Sequence, residues 1–309
     1  MNLQQIQTFT QVAECGSFSR AAVLLDTAQP ALSRQVRALE VELGQTLLIR
    51  TGRGVALTDA GRRLLEHSYA ILQRLAQARE DLDQQRGEAV GSIIVGLPPS
   101  LARRLCLPLI QAFTAQMPKA HLSVVEGFST NIAEWLGTGR MDMGLVYTPE
   151  PHPHIEVQPL MHERLCLVGP AEHLCGRSGV QFGQLPDFAL IMPQRGQVFR
   201  KLMESQATLL HIKLNVAWEV SSVPVALDLV RAGCGYAALT SSALYSHVHS
   251  CDCHAPELLS IPIENPHVPC TLCLVQSAKK QVTPLARKTG EILHQLCMQI
   301  SNNENPLSS

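Results

Sequence analysis

No stretch of this sequence is long and apolar enough for a membrane span, which takes about 18 consecutive apolar residues. The start, MNLQQIQTF, lacks a basic segment ahead of an apolar core, so no secretory signal is expected. Neither sign of charge is in excess: 25 Lys and Arg stand against 26 Asp and Glu, a formal net charge of −1. This excludes a basic coat for nucleic acid, and any DNA affinity has to come from a local patch. G-x-S-x-G, a P-loop, a dinucleotide fingerprint and H-E-x-x-H are all absent, and the acidic residues show no evident pair. Neither an enzyme nor a resident cofactor is expected. What is present is an ordinary globular composition, 46% hydrophobic and 17% charged, over 309 residues, enough for two or three domains. Ten cysteines without an export signal read as reduced thiols, so a cytoplasmic location is expected.

The N-terminal residues carry helical periodicity. Leu3, Ile6, Phe9, Val12 and Ala13 share one face, Gly16 stops the helix, and Ser17 is placed to cap the next one, over about 18–25. Asp26-Thr27-Ala28 make a turn, and Pro30 falls in the first turn of a third helix, where its missing N–H costs little. Gly44 ends that helix. Strands are expected at Thr46–Arg50 and Val55–Leu57, joined by Thr51-Gly52-Arg53-Gly54, whose two glycines permit positive φ. A long helix then runs from Thr58-Asp59 to about Arg86, with Leu65, Leu72, Leu75 and Leu82 on a seam that suits pairing with a second copy. GEAVG, 87–91, reads as a linker.

Two helices, a tight turn and a glycine-tipped hairpin form a helix-turn-helix with a wing, a device for reading double-stranded DNA. A helix in the major groove needs short polar or charged side chains near its N-terminus. The third helix offers Gln29, Pro30, Ala31, Ser33, Arg34 and Arg37 there. Gln29 suits adenine, Arg34 guanine or phosphate, and Ala31 a thymine methyl. Arg50 and Arg53, on the hairpin, are placed for phosphates or the minor groove. Any one of these arginines alone is equally well a solvated surface charge; their clustering carries the reading.

From Ser92 strands alternate with helices, the pattern of open α/β sheets. SIIVGL (92–97), HLSVVEG (121–127), DMGLVY (142–147), RLCLVGP (164–170), FALIMP (188–193), LNVAWEV (214–220), GYAALT (235–240) and CTLCLVQ (270–276) read as buried parallel strands. LPLIQAFTAQM and Leu285–Ile300 read as helices, and the tail SNNENPLSS as disordered.

The strings QPALSRQVRALEVELG and LLIRTGRGVALTDAG, within residues 29–61, resemble the core of the LysR-type transcriptional regulators. They look most like the nitrogen-assimilation-control branch. Ala28 departs from the pattern, standing where the family usually has a Ser or Thr cap; Thr27 is the candidate substitute. The resemblance implies an all-α winged helix-turn-helix over 1–58, a linker and dimerisation helix over 59–90, and an α/β periplasmic-binding-protein-like effector domain over 91–303. It also implies two subdomains, 91–161 with 268–303 and 162–267, with crossings near Leu160–Glu163 and Asn265–Pro269. Homodimers or homotetramers that act on promoter DNA, and so on RNA polymerase, follow from it too, as does a small-molecule effector between the subdomains.

By resemblance the effector is met by loops after strand ends: Pro98-Pro99-Ser100, Phe128-Ser129-Thr130, Tyr147-Thr148, Pro193-Gln194-Arg195, Ser221-Ser222 and Thr240-Ser241. Ser100, Phe128, Ser129, Thr148, Pro193, Arg195, Ser221 and Thr240 are the implied contacts. Many hydroxyls with one cation favour a small polar or anionic effector. Two rival sensors remain open. His247, His249, Cys251, Cys253 and His254, or His267 with Cys270 and Cys273, raise a metal site, although residues three apart on a strand face opposite sides. Cys166 and Cys175 have the spacing of a redox pair, but Cys166 lies in an apolar strand. A solute-binding protein or enzyme fits residues 92–300 alone.

Overall fold

The computed structural model describes residues 1–52, 54–83, 89–248, 258–278 and 283–304. The chain divides into two compact units, Met1–Glu88 with Thr138–Arg140, and Ala89–Gly137 with Met141–Ser309.

In the first unit, α1 (Leu3–Cys15) opens with a capping box: the Asn2 side chain accepts from the Gln5 amide and the Gln5 side chain from the Asn2 amide. Gly16, at φ 56°, ends it. Ser17 caps α2 (Phe18–Leu24) by accepting from the Arg20 amide. After α3 (Gln29–Leu43), Gly44 turns the chain at φ 63°. Phe9, Val36, Leu39 and Leu47 form one core cluster, and Val12, Ala21, Ala22 and Leu32 a second. The apolar faces read from spacing therefore meet.

The wing pairs β1 (Leu48–Thr51) antiparallel to β2 (Gly54–Leu57). It starts later than Thr46 because the Glu40 carboxylate, rather than a neighbouring strand, takes the amides of Leu47 and Leu48 at 2.8 and 3.1 Å. Of the two wing glycines only Gly54 has positive φ, at 137°. The amide of its neighbour Val55 donates to Gly16 O at 2.8 Å, tying the wing to the end of α1. Thr58 begins α4 (Asp59–Asp83) by accepting from the Gly61 amide at 3.0 Å. Leu64 and Leu65 pack on the core of their own unit, while Leu72 and Leu75 further along are half-buried. The Arg79 and Leu82 side chains, residues 84–88 of the linker, and Arg53 lie outside the described residues.

The second unit is a ten-stranded arrangement. It comprises β3 (Gly91–Leu97), α5 (Pro99–Gln116), β4 (Ala120–Glu126), α6 (Ser129–Gly137), β5 (Met143–Tyr147), β6 (Ile155–Pro170), α7 (Ala171–Leu174), β7 (Val180–Gln181), β8 (Leu190–Met192), α8 (Val198–Leu209), β9 (Val216–Glu219), α9 (Val223–Arg231), β10 (Tyr236–Thr240), α10 (Ser241–Val248), β11 (Leu258–Glu264), β12 (Pro269–Ser277) and α11 (Pro284–Glu304). The main strand order is β4-β3-β5-β12-β6-β10-β8-β9. The outer strands on each side are parallel, as expected, but β12 and β6 run antiparallel to their neighbours. An unbroken apolar run such as RLCLVGP reports burial of both faces and says nothing of direction.

β6 is the backbone of this unit. Its first part pairs with β12 from Ile155 to Arg164 and its second with β10 and β11 from Leu165 to Pro170. The chain thus passes from one half to the other within one strand and returns between β11 and β12. β11 was not expected, because Pro262 interrupts its apolar pattern. The C-terminal helix runs on through Ser301–Glu304, stretching beyond Ile300 into residues read as a disordered tail; 305–309 are outside the described residues.

Candidate functional site

Two surfaces are the candidates, one in each unit. In the first, Leu32, Val36 and Leu39 anchor α3 in the core, and Thr8 donates to the Gln35 side chain to fix α3 against α1. The opposite side is left to solvent. Pro30, Arg34 and Arg37 are exposed, with Gln29, Ala31 and Ser33 half-exposed beside them. Arg50 is exposed on the wing. Among the described residues none of these three arginines pairs with a carboxylate, so their charges stay available. Ala28 makes no side-chain cap to α3, and Thr27 does not replace it: its hydroxyl donates back to Leu25 O at 3.0 Å.

In the second unit a cleft of about 620 Å³, partly open to solvent, lies between the two halves of the sheet. Of the eight implied contacts, Ser100, Phe128, Ser129 and Pro193 line it. Thr148 does not. Its hydroxyl accepts from the Thr271 amide at 3.1 Å, and Tyr147 before it lines the cleft instead. Ser221 accepts from the Gln194 amide at 3.3 Å, and Ser222 takes the lining position. Thr240 is fully buried and its neighbour Leu239 faces the cleft, since successive strand residues point oppositely. Arg195 has an 80% exposed side chain, 3.7 Å from Glu204. Missing from the sequence reading are the apolar walls: Val198 and Phe199 of α8, Val220, and Val223 and Ala226 of α9. A clue was available in the apolar residues that directly follow the Gln197 and Ser222 helix starts.

Tyr147 occupies the centre. Its ring lies 5.0 Å from that of Phe199 across the cleft, and its amide donates to Ser129 Oγ at 2.9 Å. Its hydroxyl donates to Glu163 Oε2 at 2.7 Å and is also hydrogen-bonded by Ser100. Burial first, and the Glu163 carboxylate second, hold this phenol well above its ordinary pKa, so it stays a neutral donor. Glu163 Oε1 takes a 2.7 Å bond from Ser242 of α10. One carboxylate on the crossing strand β6 therefore links the end of β5 to the start of α10. At the cleft mouth Thr130 meets Gln197 at 3.4 Å and Lys201 meets Glu150 at 2.7 Å.

Both units match known families. Residues 3–62 match the model of the bacterial regulatory helix-turn-helix protein, lysR family, and residues 86–298 that of the LysR substrate binding domain. The chain belongs to the LysR family. It is 31% identical, over the full length of both chains, to the nitrogen assimilation regulatory protein Nac of Klebsiella aerogenes. Its fold is similar to that of a full-length OxyR variant from Pseudomonas aeruginosa, at 23% identity, with a TM-score of 0.70 and 96% and 94% of the two chains covered. It is also similar to CbnR solved with its target DNA, at 24% identity, with a TM-score of 0.68 and 96% and 100% covered. As a LysR-type protein it is a DNA-binding transcriptional regulator with an effector-binding domain, not an enzyme. Among the described residues no helix is long and apolar enough to cross a membrane.

The rival sensors of a LysR-type domain find little support in its geometry. Cys270 and Cys273 are both buried, but in different core clusters on opposite faces of β12. Among the described residues no three His, Cys, Asp or Glu are grouped to hold a metal; residues 249–257, which include most of the His/Cys cluster, lie outside them. Cys166 is buried and Cys175 exposed, both as free thiols. Burial pushes the thiols of Cys270 and Cys273 up, and burial with the Glu163 charge raises Cys297 to about 12. Labelling of the native protein with a thiol reagent near pH 8 is therefore expected to modify Cys175 and Cys234, with Cys270, Cys273 and Cys297 reacting only after denaturation. Peptide mass spectrometry reads the order; early labelling of the buried three contradicts it.

Proposed function

We propose that α3 reads operator DNA in the major groove through Gln29, Ala31, Ser33, Arg34 and Arg37, with Pro30 shaping its first turn and Arg50 and Arg53 of the wing on the backbone or minor groove. The observation that carries this is the exposed row of Arg34, Arg37 and Arg50 around one helix start and one hairpin, paired with no carboxylate among the described residues. CbnR, solved with its target DNA, supports the same use of this fold. The chain works in the cytoplasm as a homodimer or homotetramer. A second copy packs along α4 where the seam continues past the core through Leu72 and Leu75. Promoter-bound, it acts on RNA polymerase.

A small effector occupies the cleft between the halves 91–161 with 268–303 and 162–267. Ser100, Phe128, Ser129 and Pro193 touch it, and Thr148, Arg195, Ser221 and Thr240 stand behind the lining. Touching Ser100 and Tyr147, the effector changes the bond that Tyr147 and Ser242 share on Glu163, and so the angle between the halves. Only a ligand with unequal affinity for the two arrangements shifts them.

Arg50 supplies the test of the DNA-reading surface. Each phosphate neutralised releases condensed counterions, giving a slope of about −0.9 in log affinity against log salt. Arg50→Ala is expected to weaken binding to all sequences evenly and to lower that slope by about one unit per wing engaged. Fluorescence anisotropy over a salt series measures it. An unchanged slope removes the wing from the DNA surface.

A further inference from the structure

We infer that the cleft takes a compact ligand with a predominantly hydrocarbon body, no positive charge and at most one small polar or anionic head. This rests on the reading of the cleft as the effector site and adds the chemistry that site selects.

The walls come first. Phe128 and Pro98 on one side face Ile191, Met192, Phe199 and Val223 on the other, and no Lys, Arg, His, Asp or Glu lines the space. A ligand with hydrocarbon surface gains by leaving water there, at about 25 cal/mol per Å² buried. A charge entering loses hydration and finds no opposite side-chain charge.

The hydroxyls are the second part, because most are already committed to the protein. The Tyr147 hydroxyl gives its proton to Glu163 and is bonded by Ser100; Ser129 Oγ accepts the Tyr147 amide; Gln197 is met by Thr130. What remains for a ligand is the Ser129 proton, Ser222, and first-turn amides of α8 and α9, neither of which has a side-chain cap. Those groups suit one small acceptor or carboxylate head and offer nothing to an ammonium.

The charged residues flanking the cleft make the third part, since the three cations are paired with carboxylates and Glu163 has both oxygens engaged by hydroxyls. Arg195 lies by Glu204; Arg200 is held by Glu204 at 2.7 Å and Glu219 at 3.4 Å; Lys201 pairs with Glu150; Glu163 is held by Tyr147 and Ser242. Freeing one of them to meet a charged ligand breaks an existing ion pair or, for Glu163, an existing hydrogen bond. A ligand with several charges is therefore refused.

The experiment presents the full-length chain with benzyl alcohol, benzoate and benzylamine, which share one ring and differ in charge, and with succinate, which has charge and little body. Saturation-transfer NMR reads each. At least one of benzyl alcohol and benzoate is expected to bind, with benzylamine and succinate at least about tenfold weaker. Val223→Phe and, separately, Val220→Phe fill the cleft and are expected to abolish the signal; circular dichroism and a cooperative melt confirm that each variant is folded. Binding of succinate or benzylamine as strong as that of the neutral and monoanionic probes, still lost in the filled variants, overturns the ligand class and leaves the cleft as the effector site. Binding that neither filled variant reduces overturns the cleft itself. No binding by benzyl alcohol or benzoate overturns the class.

Discussion

With Arg34 replaced by alanine, the full-length protein is expected to bind its operator about 5- to 150-fold more weakly, the range for one lost bidentate base contact of about 1–3 kcal/mol. The side chain is exposed and, among the described residues, makes no contact with a carboxylate, so its removal leaves the helix-turn-helix folded. The buried side of α3, Leu32, Val36 and Leu39, is untouched. Discrimination at one base pair per half-site relaxes along with affinity, which separates this variant from Arg50→Ala, whose effect is even across sequences. Arg34→Lys keeps the charge but not the fork and is expected to recover the even part only. Anisotropy titrations against the operator and against single-base variants measure both quantities. Equal losses on every sequence would assign Arg34 to phosphate.

Gly54→Ala is expected to lower the unfolding midpoint of the N-terminal unit by about 10 °C and to abolish specific DNA binding. Two causes add. The backbone at φ 137° lies where side chains are strained, at a cost of about 1–3 kcal/mol. An added Cβ would also stand 2.3 Å from Gly16 O, the very atom that accepts the Val55 amide. A backbone atom cannot turn aside as a flexible side chain can, so the wing has to leave α1. In a unit of this size about 1 kcal/mol moves the midpoint by roughly 4–8 °C. Gly52→Ala is the control: it meets nothing within 4 Å and its φ is not positive, so stability should hold. Scanning calorimetry of the two variants decides; equal melting of both would remove the wing anchor from the account.

These two residues show why the N-terminal unit was legible in sequence. Its determinants are local: Ser17 caps three residues ahead, Gly16 and Gly44 stop helices at positive φ, and Pro30 sits in a first turn. Each is read from a few neighbours. Gly52 and Gly54 both permit positive φ, and spacing alone does not say that Gly54 is the one to take it. The cleft was legible only in outline. Loops after strand ends line the cleft, but Tyr147 against Thr148, Ser222 against Ser221 and Leu239 against Thr240 differ by one residue, and one residue reverses the facing. Nothing in the spacing shows that Glu204, nine positions on and within α8, lies beside Arg195. Strand direction was hidden for β6 and β12, since burial of both faces gives the same apolar run either way.

The most direct test of the central claim is in vitro selection of genomic DNA fragments by the purified full-length chain, run in parallel with Arg34→Ala. The wild-type protein should enrich a bipartite, two-fold symmetric motif with half-sites about one or more helical turns apart, and the variant should fail to enrich it. Fragments recovered by the wild-type protein with no common motif, or the same motif recovered equally by Arg34→Ala, would contradict α3 as the reading helix.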